Sequence, residues 1–202
     1  MRVVAIDGPA ASGKGTLARR LAAALGLPHL DTGMLYRAVA RRVLDAGADP
    51  NDPASAGREA AALTGANLLH PGLRAPDTAA ASSLVARHPG VRAALLTFQR
   101  AFPAADGAVL DGRDIGTVVF PDAPAKLFVT ADPATRARRR WLEEGGDLDD
   151  VLRRMAARDA QDAARATAPL RPADDAVLLD TTDLSPDAAF QQALAAVQLR
   201  LS

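Results

Sequence analysis

Residues 8 to 16 read GPAASGKGT, and this glycine-rich stretch constrains the fold more than any other part of the sequence. It follows the short apolar run VVAI (3–6) and precedes a helical pattern, so it is predicted to join a strand to a helix. Glycines at positions 8 and 13 allow successive backbone N–H groups to point into one concavity, and the start of the helix adds positive potential. The stretch therefore predicts a loop that binds phosphate groups.

Lys14 adds a mobile positive charge to this loop. The chain has only two lysines, Lys14 and Lys126, and many arginines. The spacing is that of a P-loop, although Gly15 follows the lysine and the hydroxyl comes one residue later, at Thr16. The alternative is a glycine-rich turn without a ligand. We predict that the whole loop binds a polyphosphate, through Gly8, Pro9, Ala10, Ala11, Ser12, Gly13, Lys14, Gly15 and Thr16, and the loop alone leaves GTPases, ATPases and small-molecule kinases open.

Composition limits the classes of partner. The 202 residues carry a formal net charge of +0, which argues against a protein that holds a long nucleic acid by its backbone. The chain has no cysteine, so disulfides and thiolate metal sites are excluded. No apolar run has membrane-spanning length, and the N-terminus lacks the pattern of a secretory signal. We expect a cytoplasmic protein with small anionic ligands and no membrane partner.

Short apolar runs alternate with helical patterns along the chain. Strands are predicted at 3–6, 108–111, 125–131 and 176–180, with a weaker candidate at 27–31. Helices are predicted at 14–25, 33–46, 79–101, 133–143, 148–166 and 186–201, with Asp132-Pro133 and Ser185-Pro186 as start signals. This alternation favours an α/β fold of three layers around a mostly parallel sheet. Residues 47–78, rich in Gly, Pro and Asn, interrupt the pattern and are interpreted as an insertion.

Two further stretches carry candidate anion-binding residues. In DTGMLYRA (31–38), Thr32 is predicted to cap a helix, and Arg37 lies near the helix start, where it can form a second anion site. In LDGRDIGT (110–117), Asp111 ends a central strand and can orient metal-bound water, while Arg113 can hold a phosphate. The alternatives are a solvated helix residue at 37 and a surface charge network around 113.

Two charged helix segments complete the candidates. Arg158, Asp159, Asp162 and Arg165 follow one another at helical spacing, which favours a helix that borders an anionic cleft over an exposed ladder of opposite charges. In RARRRW (136–141), three arginines share one face and can approach ATP, or can simply be solvated. EEGGDLDD (143–150) contains two adjacent glycines that can act as a hinge for the segment that follows.

Five segments together identify a family resemblance. IDGPAASGKGT, LDTGMLYR, VRAALLTFQRAF, LDGRDIGTVVFPDAPAKLFVTADPATRARRR and RDAQDAARATAPL occur in this order and resemble the bacterial cytidylate kinases, which are nucleoside monophosphate kinases of the P-loop type. The resemblance covers most of the chain. It implies a single P-loop kinase domain over residues 1–202, in which 47–78 is a shortened nucleotide-binding insertion and 143–166 is a lid.

The resemblance also implies roles for individual residues. It places the acceptor phosphate on Arg37, Arg113 and Arg165, with Lys14 and Arg158 nearer the transferring group. The remaining implied CMP contacts are Thr32, Tyr36, Ser83, Arg92, Asp114 and, for the sugar, Asp162. The phosphate loop (8–16), Arg136 and Arg140 would bind ATP, and Asp111 (through water) and Thr16 would serve the metal. A carboxylate suits the amino group of cytosine, whereas uracil would set a carbonyl against Asp114.

The implied reaction is direct in-line transfer of the γ-phosphoryl group of ATP to CMP or dCMP, with Mg²⁺ as cofactor and a monomeric enzyme. Positioning and charge neutralisation would carry the catalysis, without a covalent intermediate. One alternative is a kinase for another acceptor, such as UMP or AMP. A nucleotide-dependent switch is less favoured, because the sequence lacks an NKxD motif.

Overall fold

The computed structural model describes residues 1–103, 105–165 and 168–201. These residues form two compact units, the first comprising Met1–Leu30 and Pro103–Ser202 and the second Asp31–Phe102. The strands are β1 (Arg2–Asp7), β2 (His29–Asp31), β3 (Gly107–Gly112), β4 (Ala125–Thr130) and β5 (Val177–Asp180). The helices are α1 (Lys14–Leu25), α2 (Thr32–Asp45), α3 (Pro53–Ala61), α4 (Pro76–Val85), α5 (Pro89–Ala101), α6 (Pro133–Glu144), α7 (Leu148–Ala163) and α8 (Pro186–Leu201).

The first unit is built on the predicted sheet. Its strand order is β2-β3-β1-β4-β5. Strand β1 pairs in parallel with both β3 and β4, and β4 pairs in parallel with β5. All five predicted strands are confirmed, including the weaker candidate at 27–31, and so is the α/β fold with a central parallel sheet. The carboxyl ends of the paired strands therefore meet at one edge, where the phosphate loop leaves β1.

Both faces of β1 are buried from Val3 onward, which explains the uninterrupted apolar run from Val3 to Ile6. Val4 and Ile6 belong to a core cluster that α1 and α8 complete from one side. Because side chains alternate along a strand, Ala5 and Asp7 face the opposite side, where the segment Ile115–Val119 packs against β1. Asp7 ends the strand and is its one buried polar residue, since Arg2 at the other end is exposed.

Local signals define the helix ends in the first unit. Gly13 and Gly26, with φ of 87° and 66°, flank α1 in the left-handed region. Asp132 accepts a hydrogen bond from Thr135 N–H before Pro133 starts α6, and Ser185 caps α8 in the same way through Ala188 N–H. Both predicted start signals are confirmed. The helix predicted for 148–166 ends at Ala163, and residues 166 and 167 lie outside the described residues.

The second unit is helical and corrects two predictions. The single helix predicted for 79–101 is wrong, because His88-Pro89 divides it into α4 and α5; the residue before a proline disfavours helical backbone. Thr32 is the first residue of α2, and Asp31 occupies the capping position predicted for Thr32. The stretch 47–78 contains α3, which starts where the Asp52 carboxylate accepts the Ala54 and Ser55 amides.

None of the helices in the described ranges combines the length and the apolar character that a bilayer crossing requires.

Candidate active site

The phosphate loop has a backbone that demands small residues. Gly8 has φ of +152°, and a Cβ there would lie 2.0 Å from the Val129 carbonyl oxygen, so no side chain fits. Ala11 adopts a left-handed φ of 57°, which costs free energy for a residue other than glycine. Such strain is typical of a ligand-binding loop.

Contacts from other segments hold the loop. Lys14 Nζ donates to the Pro9 carbonyl oxygen at 3.1 Å, across the mouth of the loop. The Thr181 hydroxyl, just after β5, lies 3.0 Å from the Ser12 carbonyl oxygen and accepts a hydrogen bond from Arg139. The Ser12 side chain is fully buried, and its Oγ has no hydrogen-bond partner among the described residues. A buried hydroxyl left in this state at a phosphate loop is consistent with a site that a ligand completes.

Asp111 lies next to the phosphate loop at the end of β3, as predicted. It is 3% exposed, and its Oδ1 lies 2.7 Å from His29 Nε2 on the neighbouring strand β2. Its Oδ2 is 3.7 Å from where a Gly15 Cβ would lie, which places this carboxylate against the residue that follows Lys14. Sequence reasoning missed His29. The available signal was its position in the candidate strand at 27–31, which ends at the same sheet edge as the strand of Asp111.

Asp162 gathers two of the predicted phosphate-binding arginines. It is 2% exposed on α7; its Oδ2 accepts a hydrogen bond from Arg113 Nε at 3.0 Å, and its Oδ1 accepts one from Arg165. Arg113 also donates to the Gly112 carbonyl oxygen at 3.3 Å. The structure thus brings Arg113, Asp162 and Arg165 together, and the ladder on α7 is not merely an exposed row of charges.

The arginines of α6 have different surroundings. Arg136 is 6% exposed and donates to the Asp159 carboxylate at 2.7 Å and to the Ala10 carbonyl oxygen of the phosphate loop at 3.3 Å. Arg140 pairs with Glu143 and Glu144 at the end of its own helix. The arginines predicted to share one face of α6 therefore differ. Arg136 is buried and links α6 to α7 and to the phosphate loop, whereas Arg140 is partly exposed.

Trp141, the only tryptophan, marks the junction between α6 and α7. Its Nε1 donates to the Gly146 carbonyl oxygen at 2.8 Å, and its ring packs with Val151 and Met155. Gly145 and Gly146 have φ of 71° and 85°, which favours glycine at both positions. The predicted glycine hinge is thus a well-defined turn, and the lid function of 143–166 stays a prediction.

In the second unit, α2 carries Thr32, Tyr36 and Arg37. Arg37 donates to the Leu73 carbonyl oxygen at 3.0 Å. The Arg92 guanidinium on α5 lies 5.8 Å from the centre of the Tyr36 ring, so two predicted CMP-binding residues are in contact. Ser83 is half-buried on α4. The assignment of these residues to a nucleotide stays a prediction.

Electrostatics single out one more residue, Asp7, at the end of β1. Burial raises the pKa of its carboxyl from 3.8 to about 6, although hydrogen bonds from the Gly116 and Ile115 amides act in the opposite direction. Sequence reasoning did not select Asp7. Its place immediately before the phosphate loop, as the only charged residue of the run VAID, was the available signal.

Comparison with known proteins identifies the family. The family model described as cytidylate kinase matches residues 4–199. The chain belongs to the cytidylate kinase family. Among curated members, the cytidylate kinase of Granulibacter bethesdensis is 60% identical over 196 residues, which cover 95% of this chain and 94% of that protein. The cytidylate kinase of Acidiphilium cryptum is 59% identical, with 95% and 92% covered.

Solved structures support the fold of this family member. A gluconokinase from Sinorhizobium meliloti superimposes with a TM-score of 0.53 at 14% identity, covering 98% of this chain and 91% of that chain. A sugar kinase from Janibacter gives a TM-score of 0.52 at 17% identity, with 98% and 95% covered. At these identities the likeness extends to the fold.

Proposed function

We propose that this member of the cytidylate kinase family transfers the γ-phosphoryl group of ATP to CMP and dCMP, which yields ADP with CDP or dCDP. The observation that carries the proposal is the pairing of Arg113 and Arg165 on the buried Asp162, within the same unit as a complete phosphate loop. Two guanidinium groups gathered in one place suit a phosphate. A phosphate loop suits the polyphosphate of ATP.

The phosphate loop binds ATP through its backbone amides and Lys14. Lys14 Nζ donates to the Pro9 carbonyl oxygen, so its ammonium group lies across the loop. The β- and γ-phosphates provide stronger, charged acceptors for the same group. Arg136 reinforces this arrangement, because it links the Ala10 carbonyl oxygen to α7.

Asp162 keeps Arg113 and Arg165 in place before CMP binds. The Nε atom of Arg165 is buried without a hydrogen-bond partner among the described residues, so a donor remains available for an incoming phosphate oxygen. When the CMP phosphate takes up arginine donors, a carboxylate oxygen of Asp162 becomes able to accept a hydrogen bond from a sugar hydroxyl. Arg158, on the same helix α7, contributes positive charge near the transferring group.

Asp114 reads the amino group of cytosine. It is 8% exposed, and a buried carboxylate facing the carbonyl of uracil would leave two acceptors opposed, at a cost of about 1–3 kcal/mol. In the second unit, we assign Ser83 and Arg92 to the base, Arg37 to the CMP phosphate, and Thr32 and Tyr36 to further contacts with CMP. The shortened stretch 47–78, which contains α3, acts as the nucleotide-binding insertion.

The residues fit a magnesium ion that is held mainly by substrate. Asp111 offers a buried carboxylate through water and Thr16 a hydroxyl, both of which are hard oxygen ligands beside the phosphate loop. Groups of three or more His, Cys, Asp or Glu suited to a metal ion are absent from the part of the chain that is described, which agrees with an ion that arrives with ATP. When bound, Mg²⁺ neutralises charge on the β- and γ-phosphates.

The turn at Gly145 and Gly146 lets the segment 143–166 close over the reacting groups and exclude water. We further propose that the enzyme acts as a monomer in the cytoplasm.

The deciding experiment measures phosphorylation of CMP, dCMP, UMP and AMP side by side, with ATP and Mg²⁺, using purified protein. CMP and dCMP should give the highest kcat/KM. Preference for UMP or AMP would indicate another acceptor, and ATP hydrolysis without any acceptor product would indicate a nucleotide-dependent switch. The Asp114→Ala variant sharpens the result, because it should bring the kcat/KM values for CMP and UMP closer together.

A further inference from the structure

Asp7 makes a contact that the proposed reaction does not yet use. Its carboxylate accepts two backbone hydrogen bonds, from Ile115 N–H to Oδ1 and from Gly116 N–H to Oδ2, both at 2.8 Å. Asp7 is 4% exposed. The two amides directly follow Arg113 and Asp114 in the chain. One buried carboxylate therefore fastens the segment that carries two proposed CMP-binding residues to the strand that starts the phosphate loop.

Stability alone does not account for an ionised carboxyl at this position. Burial raises the pKa of Asp7 to about 6, the two amides lower it, and the nearby Asp114 charge raises it while Arg113 lowers it. The balance leaves the ionised form less favourable in the folded protein than in water. A buried carboxyl with a strongly shifted pKa and specific contacts is a candidate for a functional role.

The surroundings of Gly116 are fitted to this contact. A Cβ on Gly116 would lie 3.4 Å from Asp7 Oδ2 and 3.2 Å from Lys126 Cδ, so glycine allows the amide to approach the carboxylate closely. Ile115 is fully buried and fixes the other amide from the side of the core. The contact thus depends on both ends, a carboxylate on β1 and a small residue after Ile115.

We propose that Asp7 is a positioning residue for CMP recognition, because its carboxylate holds the amides of Ile115 and Gly116 and thereby fixes how Arg113 and Asp114 present their side chains. Asp7 itself does not touch the substrate. This inference rests on the proposed function, since it assigns Arg113 to the CMP phosphate and Asp114 to the cytosine amino group.

The proposed role of Asp7 concerns the binding of CMP and not the binding of ATP. The phosphate loop keeps its own supports, from Lys14 to the Pro9 carbonyl oxygen and from the Thr181 hydroxyl to Ser12, and neither involves the Asp7 side chain. Loss of the Asp7 contact should therefore disturb the Arg113-Asp114 segment more than it disturbs the loop.

The test compares the Asp7→Asn variant with the unmodified protein. An amide of the same size keeps one oxygen acceptor but turns an NH₂ group toward the second backbone amide. The loss of one charge-assisted hydrogen bond should raise KM for CMP about tenfold and lower the preference for CMP over UMP severalfold. KM for ATP should change less than about twofold, because the supports of the loop remain.

Asp180→Asn is the matched control. Asp180 ends β5, is exposed, and accepts a hydrogen bond from Thr182 N–H at 2.8 Å on a single carboxylate oxygen, so the same substitution removes one charge at the end of another strand while an amide oxygen can keep the contact. It should leave both KM values and the selectivity unchanged. Gly116→Ala provides a second probe from the other end of the contact, with the same kinetic pattern in a weaker form. Combined with Asp7→Asn, it should add little further effect, because both changes disturb one contact.

Unchanged CMP kinetics and selectivity in Asp7→Asn would overturn the inference. Equal increases in KM for ATP and CMP would also overturn it, since they indicate a general structural role. If Asp7→Asn does not fold, Gly116→Ala decides, and normal CMP constants in that variant count against the inference. Failure of the unmodified protein to phosphorylate CMP is a separate result, which removes the proposed function and this inference with it.

Discussion

The two units differ in how they treat charge. Within the described ranges, the buried charged residues all lie in the first unit: Asp7, Asp111, Asp114, Lys126, Arg136 and Asp162. The buried polar residues of the second unit are uncharged: Thr32, Ser55, Thr78, Ser82 and Gln99. Ion pairs of the second unit, such as Arg41 with Asp77 and Arg42 with Glu59, involve partly exposed side chains.

The difference shows that the unfavourable burial of charged groups is confined to the unit that carries the phosphate loop. Burying a charge is unfavourable unless it is paired and hydrogen-bonded, and the first unit meets that condition with strand ends and the arginines around Asp162. The second unit is stabilised by apolar contacts among helices, with charges left near water. We therefore expect substitutions in the first unit to affect turnover most strongly and those in the second unit to affect CMP binding.

The largest effect on turnover is expected for Lys14, and the other lysine of the first unit, Lys126, provides the comparison. Lys14→Met should lower kcat/KM by about a thousandfold with little change in stability, since it removes a positive charge from the transferring phosphoryl group. Lys126→Met is the matched control: it removes a buried ammonium group that pairs with Asp175, so it should lower the melting temperature and leave turnover nearly unchanged. Equal turnover in both variants would contradict the assignment of Lys14 to the reaction and of Lys126 to stability.

The pH dependence of stability tests the cost of the buried Asp7. Because the pKa of Asp7 rises from 3.8 in the unfolded chain to about 6 in the fold, the folded state keeps a proton that the unfolded state has lost between these pH values. Stability from this group is therefore fully present below pH 3.8 and is lost as the pH rises through 6, by about 3 kcal/mol in total.

Urea unfolding between pH 4.5 and 7.5, compared between the unmodified protein and Asp7→Asn, isolates that contribution. The difference in unfolding free energy should shift in favour of Asp7→Asn as the pH rises. Arg113, Asp114 and Lys126 are the charged neighbours of Asp7, and all three are present in both proteins, so the difference between the two proteins reports on Asp7. A difference independent of pH would show that Asp7 carries no such cost.

A smaller effect is expected for Arg113→Ala, which should lower kcat about a hundredfold while the protein remains folded. It removes a guanidinium from the Asp162 pair and leaves Arg165 in place. Steady-state kinetics with CMP provides the measurement. Unaltered kcat/KM would contradict the placement of Arg113 at the acceptor phosphate.

The smallest effect concerns the second unit, where Arg37 and Arg41 lie one turn apart on α2. Arg37→Ala should raise KM for CMP about tenfold, in line with the loss of one charged hydrogen bond. Arg41→Ala should leave KM unchanged, because Arg41 is engaged with Asp45 and Asp77. If both variants behave alike, the second unit contributes charge in general and not a defined phosphate contact.

Sequence patterns predicted the first unit well because its signals are local and repeated. Buried parallel strands appear as uninterrupted apolar runs, and proline or glycine marks the helix ends, as at Pro133 and Gly26. The candidate site was predictable as far as it depends on strand ends. The partners of each charge were not, because the contact between His29 and Asp111 joins residues 82 positions apart.

The second unit was harder to predict for a physical reason. Alanine is frequent there and favours helix throughout, so propensity hides the boundaries, and the break at His88-Pro89 was absorbed into one long helix. The start of α3 depends on the Asp52 carboxylate and Pro53, a short signal inside a stretch dominated by loop-forming residues. The role of Asp7 could not be predicted either, because the alternation of side chains along a strand does not show which distant backbone amides the last side chain contacts.

The contact between Trp141 and Gly146 gives this chain a natural optical probe. Indole emission depends on hydrogen bonding and on the polarity around the ring, and the only tryptophan of the chain sits where α6 turns into α7. A rearrangement of the 143–166 segment upon nucleotide binding would change the emission without any attached dye. Stopped-flow fluorescence of the unmodified protein can therefore test whether the predicted lid closes when a nucleotide binds.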